Sequence, residues 1–252
     1  MSIASRISSI KEHLEDAYDE IESKGANLHL LPSEYTQVDY IESSGTQYID
    51  TGIYPYKTKT EITFQLLDNY SMQNANKMLG GLSENSRYIL AYLYYAYSPQ
   101  VITPANSSNG LLVNIPMDNN KHTLIYNDEN NNIIYDNIQQ SFISGKELTD
   151  LTSVATKSLT LFAANRSIVD LMSSYKLYNC KITNKNTNTL ERDFIPCYRN
   201  SDNEVGLYDL VNNVFYTNQG TGVFTYGEVK EDYAFAKNIS NLSRAINLIP
   251  TD

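Results

Sequence analysis

RDFIPCYRNSDNEVGLYDLVNNVFYTNQGTGVFTYG, residues Arg192–Gly227, decides the fold class of this chain. Short apolar and aromatic runs (Phe194–Tyr198, Val205–Tyr208, Val214–Tyr216, Val223–Tyr226) are separated by Ser-Asp-Asn, Asn-Asn and Asn-Gln-Gly-Thr-Gly. Aromatic and β-branched runs punctuated by Asn and Gly are strand-and-turn signals. Asn212-Asn213 and Gly220 or Gly222 can take the positive φ of tight hairpins, and Pro196 suits a strand end or an edge. The stretch predicts an antiparallel meander closing a β domain.

The same grammar continues upstream. Thr36–Glu42 and Thr46–Thr51 predict a hairpin about Ser43-Ser44-Gly45, and Lys59–Leu67 alternates as a strand with one wet face does. Further strands are expected at Lys77–Leu82, Arg87–Tyr97, Leu111–Ile115, His122–Tyr126, Ile133–Tyr135, Ser158–Ala164 and Tyr175–Thr183. Asp128–Asn132 forms a hairpin tip and Asn184–Thr189 another polar turn. Ser98–Gly110, with two prolines and a Ser-Ser-Asn-Gly cluster, predicts a long loop. Ser141–Thr156 is less regular.

The two ends differ in character. Ile3, Ile7, Ile10, Leu14, Ala17 and Ile21 fall at heptad spacing within residues 1–30, with an acidic opposite face, and predict an amphipathic helix. Either it lies on its own domain or it joins copies of the chain. Isoleucine at both core positions leans toward trimers or tetramers over dimers, a trimer being favoured, and three heptads need help from a partner surface. Residues 229–252 carry a second helical stripe, Ile239, Leu242, Ile246 and Ile249, ended by Pro250.

The string FIPCYRNSDNEVGLYDLVNNVFYTNQGTG resembles the closing segment of a laminin-G-like, concanavalin-A-like jelly-roll module of bacteriophage structural and bacterial surface proteins. LPSEYTQVDYIESSGTQYIDTGIYP (Leu31–Pro55) resembles the opening of that module. KHTLIYN, SLTLFAANR and SYKLYNCKI are weaker matches between them, and MSIASRISSIKEHLEDAYDEIESKG resembles the start of phage minor structural proteins. The resemblance implies a mainly β, two-sheet concanavalin-A-like sandwich over residues 31–228 with a short helix at each end. It further implies a virion protein (head fibre, decoration or tail-associated) made in a host bacterial cytoplasm. Its partners would be copies of itself, other virion proteins and host-surface carbohydrate.

Composition narrows the partners. With 19 Lys and Arg against 29 Asp and Glu in 252 residues, the net charge of -10 repels nucleic-acid backbones and anionic membranes. No apolar run reaches the roughly 20 residues of a membrane span, and the first residues do not have the pattern of a secretory signal. Cys180 and Cys197 are therefore expected to stay thiols, although both lie in candidate strands of one hairpin.

Catalysis finds little footing. Laminarinase-type jelly rolls alternate two glutamates and an aspartate on one strand, and no E-x-D-x-E run occurs here; Glu61 has no acidic partner two residues on. The histidines His13, His29 and His122 are scattered, with His122 expected to be structural. Some laminin-G-like modules hold calcium, for which Asp118, Asp128, Glu129 and Asp136 could offer oxygens; these are generic turn acids, and no metal or cofactor is expected. The expectation is a binding protein, the alternative being a carbohydrate-active enzyme or its accessory binding module. Candidate glycan contacts are Tyr92, Tyr94, Tyr95 and Tyr97 with Asn106 and Asn109, because flat aromatics stack on sugar C–H faces and carboxamides serve hydroxyls.

Overall fold

The computed structural model describes residues 5–13, 16, 31–54, 57–67, 76–82, 91–95, 99–103, 111–114, 118–141, 157–165, 169–170 and 173–230. Residues 5–13 are helical. The strands, in chain order, are β1 (Tyr35–Gln37), β2 (Ile41–Glu42), β3 (Ile49–Asp50), β4 (Thr58–Leu66), β5 (Asn76–Leu82), β6 (Ala91–Tyr95), β7 (Pro99–Thr103), β8 (Leu111–Asn114), β9 (Lys121–Tyr126), β10 (Ile133–Tyr135), β11 (Ile138–Gln139), β12 (Thr160–Leu161), β13 (Ala164–Asn165), β14 (Val169–Asp170), β15 (Tyr175–Asn184), β16 (Thr189–Arg199), β17 (Val205–Asp209), β18 (Val214–Thr217) and β19 (Thr225–Tyr226).

The strands form two sheets. The larger runs β11-β10-β9-β4-β15-β16-β17-β18, with β1 on β16 and β2 between β15 and β19. The smaller runs β14-β13-β5-β6-β7-β8, with β12 joining β3 and β5. Pairing is antiparallel except for β13 on β5. The buried core draws on both sheets: Phe64, Leu124, Tyr175, Leu177 and Phe194 from the larger, and Ile49, Leu161 and Phe162 from the smaller side. Phe162 stacks on Tyr175 with ring centres 4.3 Å apart. The protein is mainly β, a two-sheet sandwich, as its alternating strands predict.

Alternation decides which side chains face out. On β4, Ile62, Phe64 and Leu66 are buried while Lys59, Glu61 and Gln65 are half-buried on the opposite face. On β15 the parity changes within the strand. Tyr175 and Leu177 point inward, then Cys180 and Ile182 do, because a bulge between Leu177 and Asn179 inserts Tyr178 as an extra residue. Tyr178 and Asn179 consequently both lie on the outer face. The abundant asparagines sit where turns need a left-handed residue: Asn127, Asn131, Asn137, Asn188, Asn203 and Asn213 all have positive φ.

Three local expectations are corrected. The segment 36–51 is not a hairpin, since β1 pairs β16, β2 pairs β15 and β3 crosses to β12 in the other sheet. The Ser-Ser-Gly turn is held by Gln47, whose Oε1 accepts from Ser43 Oγ and from the Ser44 amide, both at 2.9 Å. The expected loop at 98–110 contains β7, paired with both β6 and β8. Pro99 opens that strand, a place where a missing N–H is tolerated. Ser158–Ala164 is broken into β12 and β13 by Phe162, at φ 67°. The chain beyond the expected sandwich stays with the large sheet as far as Val229, which bridges to Val38. The expected C-terminal helix and the 141–156 crossing lie outside the described residues, apart from Ser141.

Cys180 and Cys197 are free and buried. They lie on opposite faces of the large sheet. Cys180 belongs to the main core, whereas Cys197 packs outside it with Leu31 and Tyr208. Burial pushes both thiols up, that of Cys197 to about 12. Such thiols are inert. We expect a thiol reagent to find two groups in unfolded, unreduced protein and to react far more slowly with the native chain; recovery of no thiol on unfolding would contradict this arrangement.

Candidate functional site

The sequence-chosen tyrosines fall on the small sheet. Tyr92, Tyr94 and Tyr95 lie on β6, an interior strand between β5 and β7. Tyr92 is in register with Met78 and Ile102, and Tyr94 with Asn76 and Gln100. Tyr97, Asn106 and Asn109 lie outside the described residues. Of the helical stripe, Ile7 is half-buried and Ile10 is 49% exposed; Ile3, Leu14 and Ile21 lie outside the described residues.

The described side chains instead bring two tyrosines together on the outer face of the large sheet. Tyr178 is carried outward by its bulge. Tyr40, one residue before inward-facing Ile41, meets it edge-on with ring centres 5.4 Å apart. Lys121, at the start of β9, holds its ammonium 3.8 Å from the centre of the Tyr178 ring. Lys176 holds its own 4.4 Å from the Tyr40 ring. Such cation–π contacts contribute about 0.5–1 kcal/mol at exposed positions and are readily exchanged. Tyr178 donates its phenol to Gln65 Oε1 at 2.5 Å. Gln65 Nε2 in turn donates to the Asn119 carbonyl at 2.6 Å. Burial raises the Tyr178 pKa, helped by the charges of Asp39 and the neighbouring Tyr40 and Glu42, so the phenol keeps its proton. The result is a half-buried aromatic platform edged by carboxamide, ammonium and carboxylate groups.

On the inner face of the same sheet, across from the platform, lies a buried imidazole. His122, only 7% exposed, stacks on Tyr135 with ring centres 4.9 Å apart. Its Nδ1 is 2.7 Å from Asp136 Oδ2 and its Nε2 is 2.8 Å from Asp118 Oδ1. Burial alone would lower its pKa, but the hydrogen bonds to Asp136 and Asp118 outweigh burial and raise it above 6.5. Asp118 is lowered, first by the Asn120 amide and then by His122.

The oxygen donors that suggested calcium are thereby accounted for by protein groups. Asp118 and Asp136 face His122, and Glu129 takes the Lys59 ammonium at 2.8 Å. Asp128 folds back on its own loop, accepting the Asn130 and Asn132 amides at 2.9 and 2.7 Å. In the same loop the Lys185 ammonium donates to Asn127 Oδ1 and Asn131 Oδ1. Among the described residues no cluster of three or more His, Cys, Asp or Glu side chains is arranged to hold a metal ion. Glu61 lies on the outer face with Lys59 3.1 Å away. No described helix is long and apolar enough to cross a membrane.

Sequence patterning could place Tyr178 outward, on the same face as Lys176. It could not bring in Tyr40 and Lys121, which arrive from β2's approach and from β9. Asp118 and Asp136 were visible only as turn acids, four residues before and fourteen after His122.

No family model and no curated protein matches the sequence. Among solved structures, the chain is similar to one described as a "putative carbohydrate binding protein" from Bacteroides ovatus ATCC 8483. The identity is 14% and the TM-score 0.48, over 79% of this chain and 62% of that one. The chain thus spans less than two thirds of that protein's length.

Proposed function

We propose that the chain is a bacteriophage virion structural protein whose β-sandwich binds glycan on the host surface, with the N-terminal helix anchoring it or joining its copies. It acts by binding, without chemistry of its own. The observation that carries the reading is the Tyr40–Tyr178 platform. Sugar rings offer apolar C–H faces that stack on flat aromatics. Gln65, Glu42, Lys121 and Lys176 around the rings suit the hydroxyl groups at a sugar's edge. The helix adds a second element: on its described residues 5–13, Ile10 is half exposed, which leaves that side chain available to a partner. Single contacts of this kind are weak, so affinity would come from copies displayed together. The isoleucine stripe favours a trimer, assembled with other virion proteins in a host cytoplasm.

The test is a glycan array and a host-cell pull-down. Wild type is compared with Tyr178→Ala, with the pair Tyr94→Ala and Tyr95→Ala, and with Ile10→Asp. Loss of one stacking and hydrogen-bonding ring corresponds to about tenfold in affinity. Tyr178→Ala should therefore weaken binding about tenfold per site. Ile10→Asp should lower the mass by light scattering from a multiple of 28.5 kDa and weaken cell binding with every tyrosine in place. Binding lost only in the β6 pair would move the site to the small sheet. Wild type that binds no glycan and no host surface would end the adhesive reading.

A further inference from the structure

We infer that His122 is a proton-operated latch on the tyrosine platform: the doubly protonated ring holds the 118–120 segment, which through Gln65 orients Tyr178, and loss of one proton frees that segment. The inference rests on the platform being the recognition surface, and it adds a regulator to it.

The geometry demands the charged ring. Carboxylates have no proton to give, and a neutral imidazole has one N–H and one lone pair. Two ring nitrogens at 2.7 and 2.8 Å from two carboxylate oxygens therefore require two N–H groups. A neutral ring would set a lone pair against one carboxylate across the same gap.

The carboxylate that must yield is Asp118. Asp136 is fixed in the tight turn between β10 and β11, at φ 49°. Its Oδ1 accepts the Thr123 amide and its own amide donates to the Thr123 carbonyl, both at 2.9 Å. The described tethers of the Asp118 carboxylate are the Asn120 amide at 2.7 Å and the Asn120 side chain, both on its own segment, and His122. One ring proton lost, the remaining N–H stays with the better-held Asp136, and the bare Nε2 repels Asp118.

The release of Asp118 reaches the platform through two hydrogen bonds. The Asn119 carbonyl, next to Asp118, accepts Gln65 Nε2 at 2.6 Å, and Gln65 Oε1 accepts the Tyr178 phenol at 2.5 Å. Lys121, the neighbour of His122, caps the same Tyr178 ring from the outer face. The described titratable groups facing His122 are Asp118 from its preceding segment, Asp136 from the turn and the Tyr135 phenol from β10; β4 contributes Phe64, which has no charge.

The sign follows from the raised histidine. Its contribution is complete below 6.5, the ordinary value, and is lost as pH rises through the higher folded value. At the acid end, Asp118 keeps its charge below the ordinary carboxylate range, so the latch stays closed well into mild acid.

The experiment is an NMR titration of isotope-labelled full-length protein from about pH 5 to about pH 9, the range in which histidine titrates. Both ring nitrogens of His122 should be protonated at the acid end, with a midpoint above 6.5. The Gln65 carboxamide and the Asn120 amide should shift with that same midpoint. Asp118→Asn, which leaves the buried ring and Asp136 in place, should lower the midpoint and abolish the matching Gln65 step; His122→Gln should abolish the step as well. A His122 midpoint at or below 6.5, or a Gln65 signal indifferent to it, overturns the latch. The titration needs no glycan, so absence of glycan binding would count against the recognition reading while leaving this result to stand on its own.

Discussion

Tyr175→Ala is expected to destabilise the protein by about 4 kcal/mol, the upper range for deleting a fully buried aromatic side chain. Tyr175 is 0% exposed and lies where the two sheets meet. Its ring stacks on Phe162 at 4.3 Å and meets Phe64 edge-on at 6.5 Å, so the truncation opens a void between the layers. The hydroxyl has a separate task. Phe162 is at φ 67°, a left-handed conformation that breaks the strand between β12 and β13 and turns its amide out of the ladder. That amide donates to the Tyr175 hydroxyl at 3.2 Å. Tyr175→Phe keeps the packing and removes the acceptor, which costs about 1–2 kcal/mol for a buried unpaired N–H. Thermal unfolding monitored by circular dichroism separates the two. The alanine variant should lose about 8–16 °C in Tm for a domain of this size, and the phenylalanine variant about a third of that. Equal losses would mean that ring packing contributes little and that the hydrogen bond dominates.

That same Phe162 marks the limit of what patterning can reveal. Strand periodicity and Asn-rich turns made the β16-β17-β18 meander legible, because both turns there are local: Asn203 and Asn213 take their left-handed conformation within their own hairpins, whereas the last expected strand, β19, leaves the meander and pairs β2. A phenylalanine at positive φ runs against local preference, and it is tolerated because Tyr175, thirteen residues on, satisfies its amide. The hairpin expected at 36–51 failed for a similar reason. Its turn residues are bound by Gln47, whose Nε2 also reaches the Val223 carbonyl at 3.0 Å from the far end of the chain. Among the candidate site residues, spacing could select Tyr92, Tyr94 and Tyr95 because they are adjacent in sequence. Tyr40 and Tyr178 are 138 positions apart by residue number and become neighbours only through the sheet. Local signals thus set the class and most strands, whereas the platform and the His122 clamp depend on register between distant segments.

The two stretches that carry the sequence resemblance, Leu31–Pro55 and Phe194–Gly222, turn out to be bound to each other, in part around Gly220. Thr221 donates its amide to the Thr46 carbonyl at 3.0 Å, and Thr46 Oγ1 donates back to the Thr221 carbonyl at 2.9 Å. The Gln219 amide reaches the Tyr48 carbonyl at 2.9 Å, while Asn218 Oδ1 receives the Tyr48 and Gly220 amides at 3.2 and 2.8 Å. A Cβ at Gly220 would lie 2.1 Å from the Thr46 carbonyl oxygen and 3.2 Å from Gln47 Cα, both backbone atoms that cannot swing aside. Gly220→Ala must therefore part the two segments, breaking several of these hydrogen bonds at once. The expected loss is about 3 kcal/mol, at the high end of overpacking penalties because the obstruction is main chain. Val223→Ala, three residues on at a side chain 74% exposed, should change stability by less than about 0.5 kcal/mol. In urea the Gly220→Ala midpoint should fall with the slope unchanged, as for a loss of native-state stability alone. A Gly220→Ala protein as stable as Val223→Ala would show that the 46–48 and 218–223 segments do not clasp, leaving the opening and closing stretches joined by the β1–β16 and β2–β19 pairings.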